Sequence, residues 1–281
     1  MQYRVRLGAF VAASIFALQA HAVLIPVDLD ISGSIETDSA IGFDGAGSIS
    51  ISMEAIDNGA STATTSITGD LSAPITAGSD PLSVTRFENT DAGFSFDGSF
   101  SPDSGTTPIE FHEYAGKFDF DIDNQTIDDY GLTWTFVFDL GADAKGSFEL
   151  MQSYLQSDVF GTLFRRDLES DGSFGDLITI DTTEIFPPTF GGVLSEVGTV
   201  SFTNTVAAGT QASFGGSFGI YAETFDLGSL LDANVNFDIL LTGVENLTNN
   251  NPPPPPTNVS EPAPLALMLL GLGLLHLRRR K

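Results

Sequence analysis

Cysteine is absent from this 281-residue chain, and cations are scarce: 11 Lys and Arg stand against 37 Asp and Glu. Without cysteine there is no disulfide, no zinc–thiolate site and no thiol nucleophile. Histidine numbers three, and His21 and His276 fall in the terminal segments 1–22 and 260–281. His112 alone cannot build a multi-histidine metal site. It is also the only base left for a Ser-His-Asp triad, and no Gly-x-Ser-x-Gly elbow accompanies it. Within Ile109-Glu-Phe-His112-Glu-Tyr114 it reads as a half-exposed strand residue. Aromatics with polar handles are few as well, one Trp and five Tyr against 23 Phe. Sugar-stacking platforms favour Trp and Tyr, so the bias reads as core filling and weakens the case for a carbohydrate groove at Trp134 or Tyr221.

What is present begins with two unusual ends. Arg4 and Arg6 form a positive region, residues 7–18 an apolar run, and Ala20-His21-Ala22 a small-residue cleavage site. That order predicts a secretory signal peptide cut after Ala22 by signal peptidase. At the other end, Ser260-Glu261-Pro262-Ala-Pro264 precedes an apolar stretch, 265–277, with eight leucines in thirteen positions. Arg278, Arg279, Arg280 and Lys281 follow. At 1.5 Å rise per residue the stretch covers roughly 20 Å, short of a ~30 Å hydrocarbon core. The four cations would hold the C-terminus on the cytoplasmic side as a membrane stop.

This arrangement resembles the PEP-CTERM sorting signal of Gram-negative, exopolysaccharide-producing bacteria. There a Pro-Glu-Pro motif precedes a short Leu/Gly-rich helix and an Arg cluster. Glu261 and Pro262 match the second and third motif positions, and Ser260 stands where the first Pro is usual. The resemblance covers about 22 of the 281 residues. It implies recognition by an exosortase-like membrane protease, removal of the short transmembrane helix, and release to the cell surface or extracellular matrix. A tail of this kind also carries the label of an ice-binding-protein C-terminal segment, which implies nothing about ice.

Between the ends, residues 23–260 keep five cations (Arg86, Lys117, Lys145, Arg165, Arg166) against 36 carboxylates, a formal charge of −31. Such a surface repels nucleic acid and anionic lipid. It suits divalent cations, basic surfaces, exopolysaccharide or a hydrated matrix.

The body has a strand-and-turn texture, with 29 glycines punctuating short runs of Ile, Val, Phe and Thr. Residues 48–53 alternate strictly, and Phe118, Phe120 and Ile122 alternate with Asp119, Asp121 and Asp123. Residues 132–140 make the strongest strand, apolar enough to lie centrally, and 199–205, 212–222 and 234–241 continue the theme. Asp97-Gly98 reads as a turn breaking the Phe94–Phe96 strand, and 148–155 as two turns of helix. Ten or more strands predict an all-β fold, an antiparallel β-sandwich or jelly roll over 23–245. A polyproline linker over 246–259 then holds the sorting segment 260–281 clear of the domain.

Two acidic constellations carry possible chemistry. Asp167-Leu-Glu169-Ser-Asp171-Gly172 resembles the start of a calcium loop, with oxygen ligands at positions 1, 3 and 5 and Gly at 6. Ile178 stands where a bidentate Glu is usual, and Asp176 is the substitute ligand. Asp119, Asp121 and Asp123, with Asp128 and Asp129 across a turn, form the second group, whose repulsion solvent or calcium relieves. Thr62, Thr64, Thr65 and Thr68 read as an exposed strand. No catalytic constellation is recognised. The favoured expectation is a non-enzymatic structural or adhesive protein; the alternatives are a calcium-dependent glycan- or protein-binding module and a polysaccharide hydrolase using two carboxylates.

Overall fold

Strict alternation of apolar and polar residues dictates an extended backbone, since only a period of two gathers every apolar side chain on one face. The computed structural model describes residues 23–41, 46–70, 81–103, 112–145, 149–171, 176–181, 189–191, 195–224 and 230–248. The signal segment with Ala20 and Ala22 lies outside these residues. So do most of the linker and the tail carrying Ser260, Glu261, Pro262 and 278–281. The chain divides into a unit over 1–246 and a short unit over 247–281, of which Leu247 and Thr248 alone are described.

Among the described residues are fourteen strands and no helix. In chain order they are β1 (Leu29–Ile41), β2 (Ala46–Asp57), β3 (Ala60–Asp70), β4 (Leu82–Val84), β5 (Ala92–Asp103), β6 (His112–Asn124) and β7 (Tyr130–Lys145). There follow β8 (Glu149–Val159), β9 (Thr162–Asp171), β10 (Asp176–Asp181), β11 (Thr189–Gly191), β12 (Ser195–Val206), β13 (Thr210–Thr224) and β14 (Leu230–Asn246). Eight form one sheet, ordered β11-β10-β9-β8-β13-β6-β1-β4. Six form a second, ordered β12-β7-β14-β5-β2-β3. Every neighbouring pair is antiparallel.

The expected all-β class and the strands over 48–53, 199–205, 212–222 and 234–241 are all found. Three local expectations are corrected. Residues 149–155 belong to β8, paired on both sides by β13 and β9, instead of a helix. Met151 and Leu155 satisfy a helical spacing and a strand spacing equally, and two flanking ladders decide for the strand. Asp97-Gly98 is not a turn: β5 runs straight through it. Gly98 is there for space, because a Cβ would sit 2.6 Å from the Phe96 ring and 2.9 Å from that of Phe100. Finally β7, which contains 132–140, is an interior strand but second from an edge, between β12 and β14.

The core is a layer of rings contributed by both sheets. Phe96 of β5 meets Phe218 of β13 at 4.3 Å, and Phe118 of β6 meets Phe237 of β14 at 6.1 Å. Phe120 of β6 touches Trp134 of β7 at 4.5 Å, and Phe136 of β7 touches Phe164 of β9 at 5.2 Å. Ring pairs at these separations add about 0.5–1.5 kcal/mol beyond simple area burial. Some of the rings lie over a residue without a side chain. Gly116 is one such residue: a Cβ there would lie 2.3 Å from Cζ of Phe218. Trp134 is completely buried in this layer, so it offers nothing to a surface sugar.

Two polar devices fix the ends of the layer. The Asn124 side-chain amide donates to the carbonyls of Asp128 (2.9 Å), Val206 (3.0 Å) and Ala207 (3.1 Å). Its oxygen accepts from Thr126 N–H at 3.1 Å and Thr126 Oγ1 at 2.7 Å. One side chain thereby ties the β6–β7 turn to the β12–β13 turn, two of the places where the chain passes between sheets. At the other device, Arg166 of β9 is buried with its guanidinium over the rings of Phe138 (5.4 Å) and Phe164 (5.2 Å). Its Nε lies 3.0 Å from Oε1 of Glu196 on β12, so an ion pair links the two sheets.

The fit between Phe218 and Gly116 generates a double-mutant test. Phe218→Ala should lower the unfolding free energy by about 3–5 kcal/mol through the cavity it leaves. Gly116→Ala should lower it by about 1–3 kcal/mol through crowding of the ring. Together they should cost clearly less than the sum, because the new methyl enters the vacated space. Urea unfolding of the four proteins measures this, and strict additivity would refute the ring-over-glycine fit.

Candidate functional site

Outward positions of the eight-stranded sheet carry a row of carboxylates. On β6 these are Asp119, Asp121 and Asp123, as the alternation predicts, with the rings of Phe118 and Phe120 on the opposite face. Register sets Asp30, Ser32 and Ser34 of β1 beside Asp123, Asp121 and Asp119, and Gln211, Ser213 and Gly215 of β13 on their other side. The result is an open trough of about 440 Å³ lined by Asp30, Ser32, Asp121, Asp123, Gln211 and Ser213. A second depression of about 380 Å³ continues it through Ser32 and Asp121 to Asp119, Ser83 and Thr85.

Charge in the trough is partly answered. Arg86 forms an ion pair with Asp30 and donates to the Pro26 carbonyl at 3.1 Å, and Gln125 donates to Asp123 at 2.9 Å. Lys117 pairs with Glu36 at 3.0 Å farther along the same strands. Carboxylates along one strand face are spaced ~7 Å apart, too far to share one ion tightly. Among the described residues, no three His, Asp or Glu side chains converge on a single point. The arrangement concentrates negative potential over a hydroxyl-lined floor, which attracts cations toward the sheet.

The sequence-predicted residues distribute as follows. Asp128 and Asp129 do not join the trough. Asp128 accepts from Asn246 at 2.8 Å and Asp129 from the Ala208 N–H at 2.8 Å, so both brace the sheet-crossing turns. Asp167, Glu169 and Asp171 lie along β9, and Asp176 opens β10 directly opposite Asp171. In this extended register Asp167 is about 13 Å along the strand from Asp171. Its buried carboxylate is held by Arg165, with Nε at 3.1 Å, and by Gln152. The side chains of Glu169, Asp171, Asp176 and His112 lie outside those described. Tyr221 donates its hydroxyl to Glu223 at 2.9 Å.

The six-stranded sheet presents a different outer face, covered with hydroxyls and amides. Thr133 and Thr203 are 3.0 Å apart, Thr135 and Ser201 3.0 Å, and Thr135 and Thr242 2.9 Å. Near its middle, Asp97 of β5 shares a shallow depression with Asp139, Asp238, Val137 and Val197. Sequence reasoning missed Asp30, Asp97 and Asp238. Each sits at an outward position of an alternating run, so its exposure was readable, whereas its acidic neighbour depends on cross-strand register.

Burial at the sheet surface, then the charge of Asp238, then that of Glu54, push the Asp97 carboxyl above its ordinary value of 3.8. A carboxyl with a raised folded pKa binds its proton more tightly in the folded state. Its ionised form therefore subtracts stability at neutral pH, and the deficit fades as pH falls through the raised pKa. Asp97→Asn should raise the melting temperature at pH 7, with the gain shrinking on acidification and vanishing below about pH 3.8. Thermal melts of both proteins across that range check it; a gain that grew in acid would contradict the assignment.

No protein-family model matches the chain, and no curated protein matches it. Among solved structures it is similar, at 14% identity and a TM-score of 0.14, to the VP2 subviral particle of infectious bursal disease virus, covering 92% of this chain and 74% of that one. A structure of infectious bursal virus-derived T=1 particles matches at 14% identity and a TM-score of 0.12, over 79% of this chain and 64% of that one. Scores this low carry no argument about fold or function.

Proposed function

We propose that this protein is an exported, non-enzymatic β-sandwich doing structural or adhesive work at the cell surface or in an exopolysaccharide matrix. It is delivered there by a PEP-CTERM/exosortase type of sorting. The observation that carries the reading is the order at the C-terminus: Ser260-Glu261-Pro262, a leucine-rich span too short for a resident anchor, then 278–281 as a membrane stop. Signal peptidase would cut after Ala22, and an exosortase-like protease would act at the tail. Two further features support the assignment. Both outer faces are broad, open and dressed in hydroxyls, amides and carboxylates, the chemistry that contacts hydrated polymers. The stability of a cysteine-free exported chain is supplied by a packed aromatic layer.

Deleting 260–281 tests the sorting. Loss of C-terminal processing, with the truncated chain failing to reach the surface or matrix, is the expected result. Unchanged processing and destination would sink the reading.

The negative potential over the trough, which can gather loosely held cations without chelating one, supports a second reading: a calcium-dependent binding module for glycans or surface proteins. On that reading millimolar calcium raises the melting temperature, and Asp121→Asn with Asp123→Asn removes the rise. Removal of the rise by Asp167→Ala with Asp171→Ala instead would place the ion at the β9–β10 hairpin. Equal melting temperatures in calcium and in chelator would eliminate this reading.

A further inference from the structure

Sheet edges are where proteins acquire partners, because an edge strand offers a row of unpaired backbone N–H and C=O groups. Of the four edges here, β4 and β11 are three residues long. β3 is long, but its pairing with β2 is broken by a register shift between Ala55 and Ile56, a bulge that turns an edge aside. β12 differs from all three. Its twelve residues pair with β7 without a shift, from Ser195 opposite Gly141 to Val206 opposite Tyr130. It holds no proline, lysine or arginine, the usual protections of an edge. Among the described residues nothing pairs with its other side.

We propose that β12 is the docking edge for a second copy of this chain, the two β12 strands pairing antiparallel about a twofold axis to join two six-stranded sheets into one. Three observations select a copy of the same chain as the occupant. The first is charge. Two bodies of formal charge −31 repel, so they meet only where carboxylates are missing. β12 has one, Glu196, and Arg166 already answers it at 3.0 Å.

The second is incompletely covered apolar surface along this edge. Val197 is 73% exposed, and Val200 and Phe202 on the inner side are only half-buried. A groove of about 280 Å³ runs below the strand, where Val159, Phe160 and Phe202 meet the polar side chains of Ser201, Thr203 and Asn204. Phe160 reaches it from a left-handed backbone (φ 50°), a conformation that costs a bulky side chain free energy. A neighbouring strand would cover these groups.

The third is self-complementarity. Pairing centred on Val200 puts Val200 opposite its own copy, Thr199 opposite Ser201, Val197 opposite Thr203 and Ser195 opposite Thr205. Glu196 then faces Asn204, so no like charges are juxtaposed. A twofold contact of this kind closes on itself as a dimer.

The absence of cysteine makes the test direct. In the full-length chain, Val200→Cys places two thiols directly opposite across the axis, where strand spacing fits disulfide geometry. Mild oxidation should move most of the protein to twice the monomer mass on a non-reducing gel. Thr64→Cys, on β3, should stay at monomer mass. Separately, Thr199→Lys with Ser201→Lys sets lysine against lysine across the axis. It should convert a dimer to a monomer by sedimentation while the chain keeps its β-sheet circular dichroism, with a melting temperature that no longer rises with protein concentration. Three results would overturn the proposal: a monomeric unmodified chain in sedimentation, cross-linking through Thr64→Cys in place of Val200→Cys, or a dimer that survives the two lysines. None of these depends on the sorting tail, so the dimer and the proposed destination can fail independently.

Discussion

The structure depends on phenylalanine rings from two sheets filling one shared layer, with glycines at several of the points where a ring presses on a neighbouring strand. Phe96, Phe218 and Phe237 form one such contact group, and Phe120, Trp134 and Phe214 another. Phe suits this duty because it brings large apolar area with few rotatable bonds and no polar atom to satisfy. Part of the composition follows from it: Gly33, Gly98, Gly116, Gly198 and Gly216 each lie where a Cβ would press on a Phe ring. Lacking disulfides, the chain relies on close packing for cohesion, and close packing is intolerant of changes in volume at either member of such a pair.

The layer also sets where charge can go. With inward positions taken by rings and aliphatics, almost all the carboxylates are driven outward, and register rather than sequence proximity decides which become neighbours. Among the described residues Arg166 is the buried cation. It is held inside because two rings and Glu196 replace its water. Desolvation of such a pair offsets much of its attraction, so its main effect is to fix where β12 lies against β9.

How much of this was legible in the sequence follows from the same geometry. Alternation is a one-strand property, and it was readable at 48–53 and at Phe118 to Asp123, with the acidic face correctly placed outward. Strand against helix at 149–155 was not readable, because Met151 and Leu155 fit both periods and only the ladders to β13 and β9 discriminate. Gly98 was mistaken for a turn residue because a glycine that admits two rings looks, in sequence, like one that bends the chain. The trough was half visible. Asp121 and Asp123 were marked, but Asp30 lies some ninety residues earlier and joins them only through the β1–β6 register. Spacing marked Asp167 as a calcium ligand, but it did not reveal that Arg165 and Gln152 hold its carboxylate.

The place of β14 in its sheet has a consequence for how the molecule comes into being. It is the last of the described strands to be made, yet it lies between β7 and β5, in the interior of the six-stranded sheet. Until it arrives, that sheet exists only as two halves, β12-β7 and β5-β2-β3, with no ladder between them. Cooperative folding therefore waits for nearly the whole chain, and loop closure over such sequence separations is slow. A polypeptide built this way stays pliable while it emerges N-terminus first, and becomes a finished object only when residue 246 is free to enter its slot.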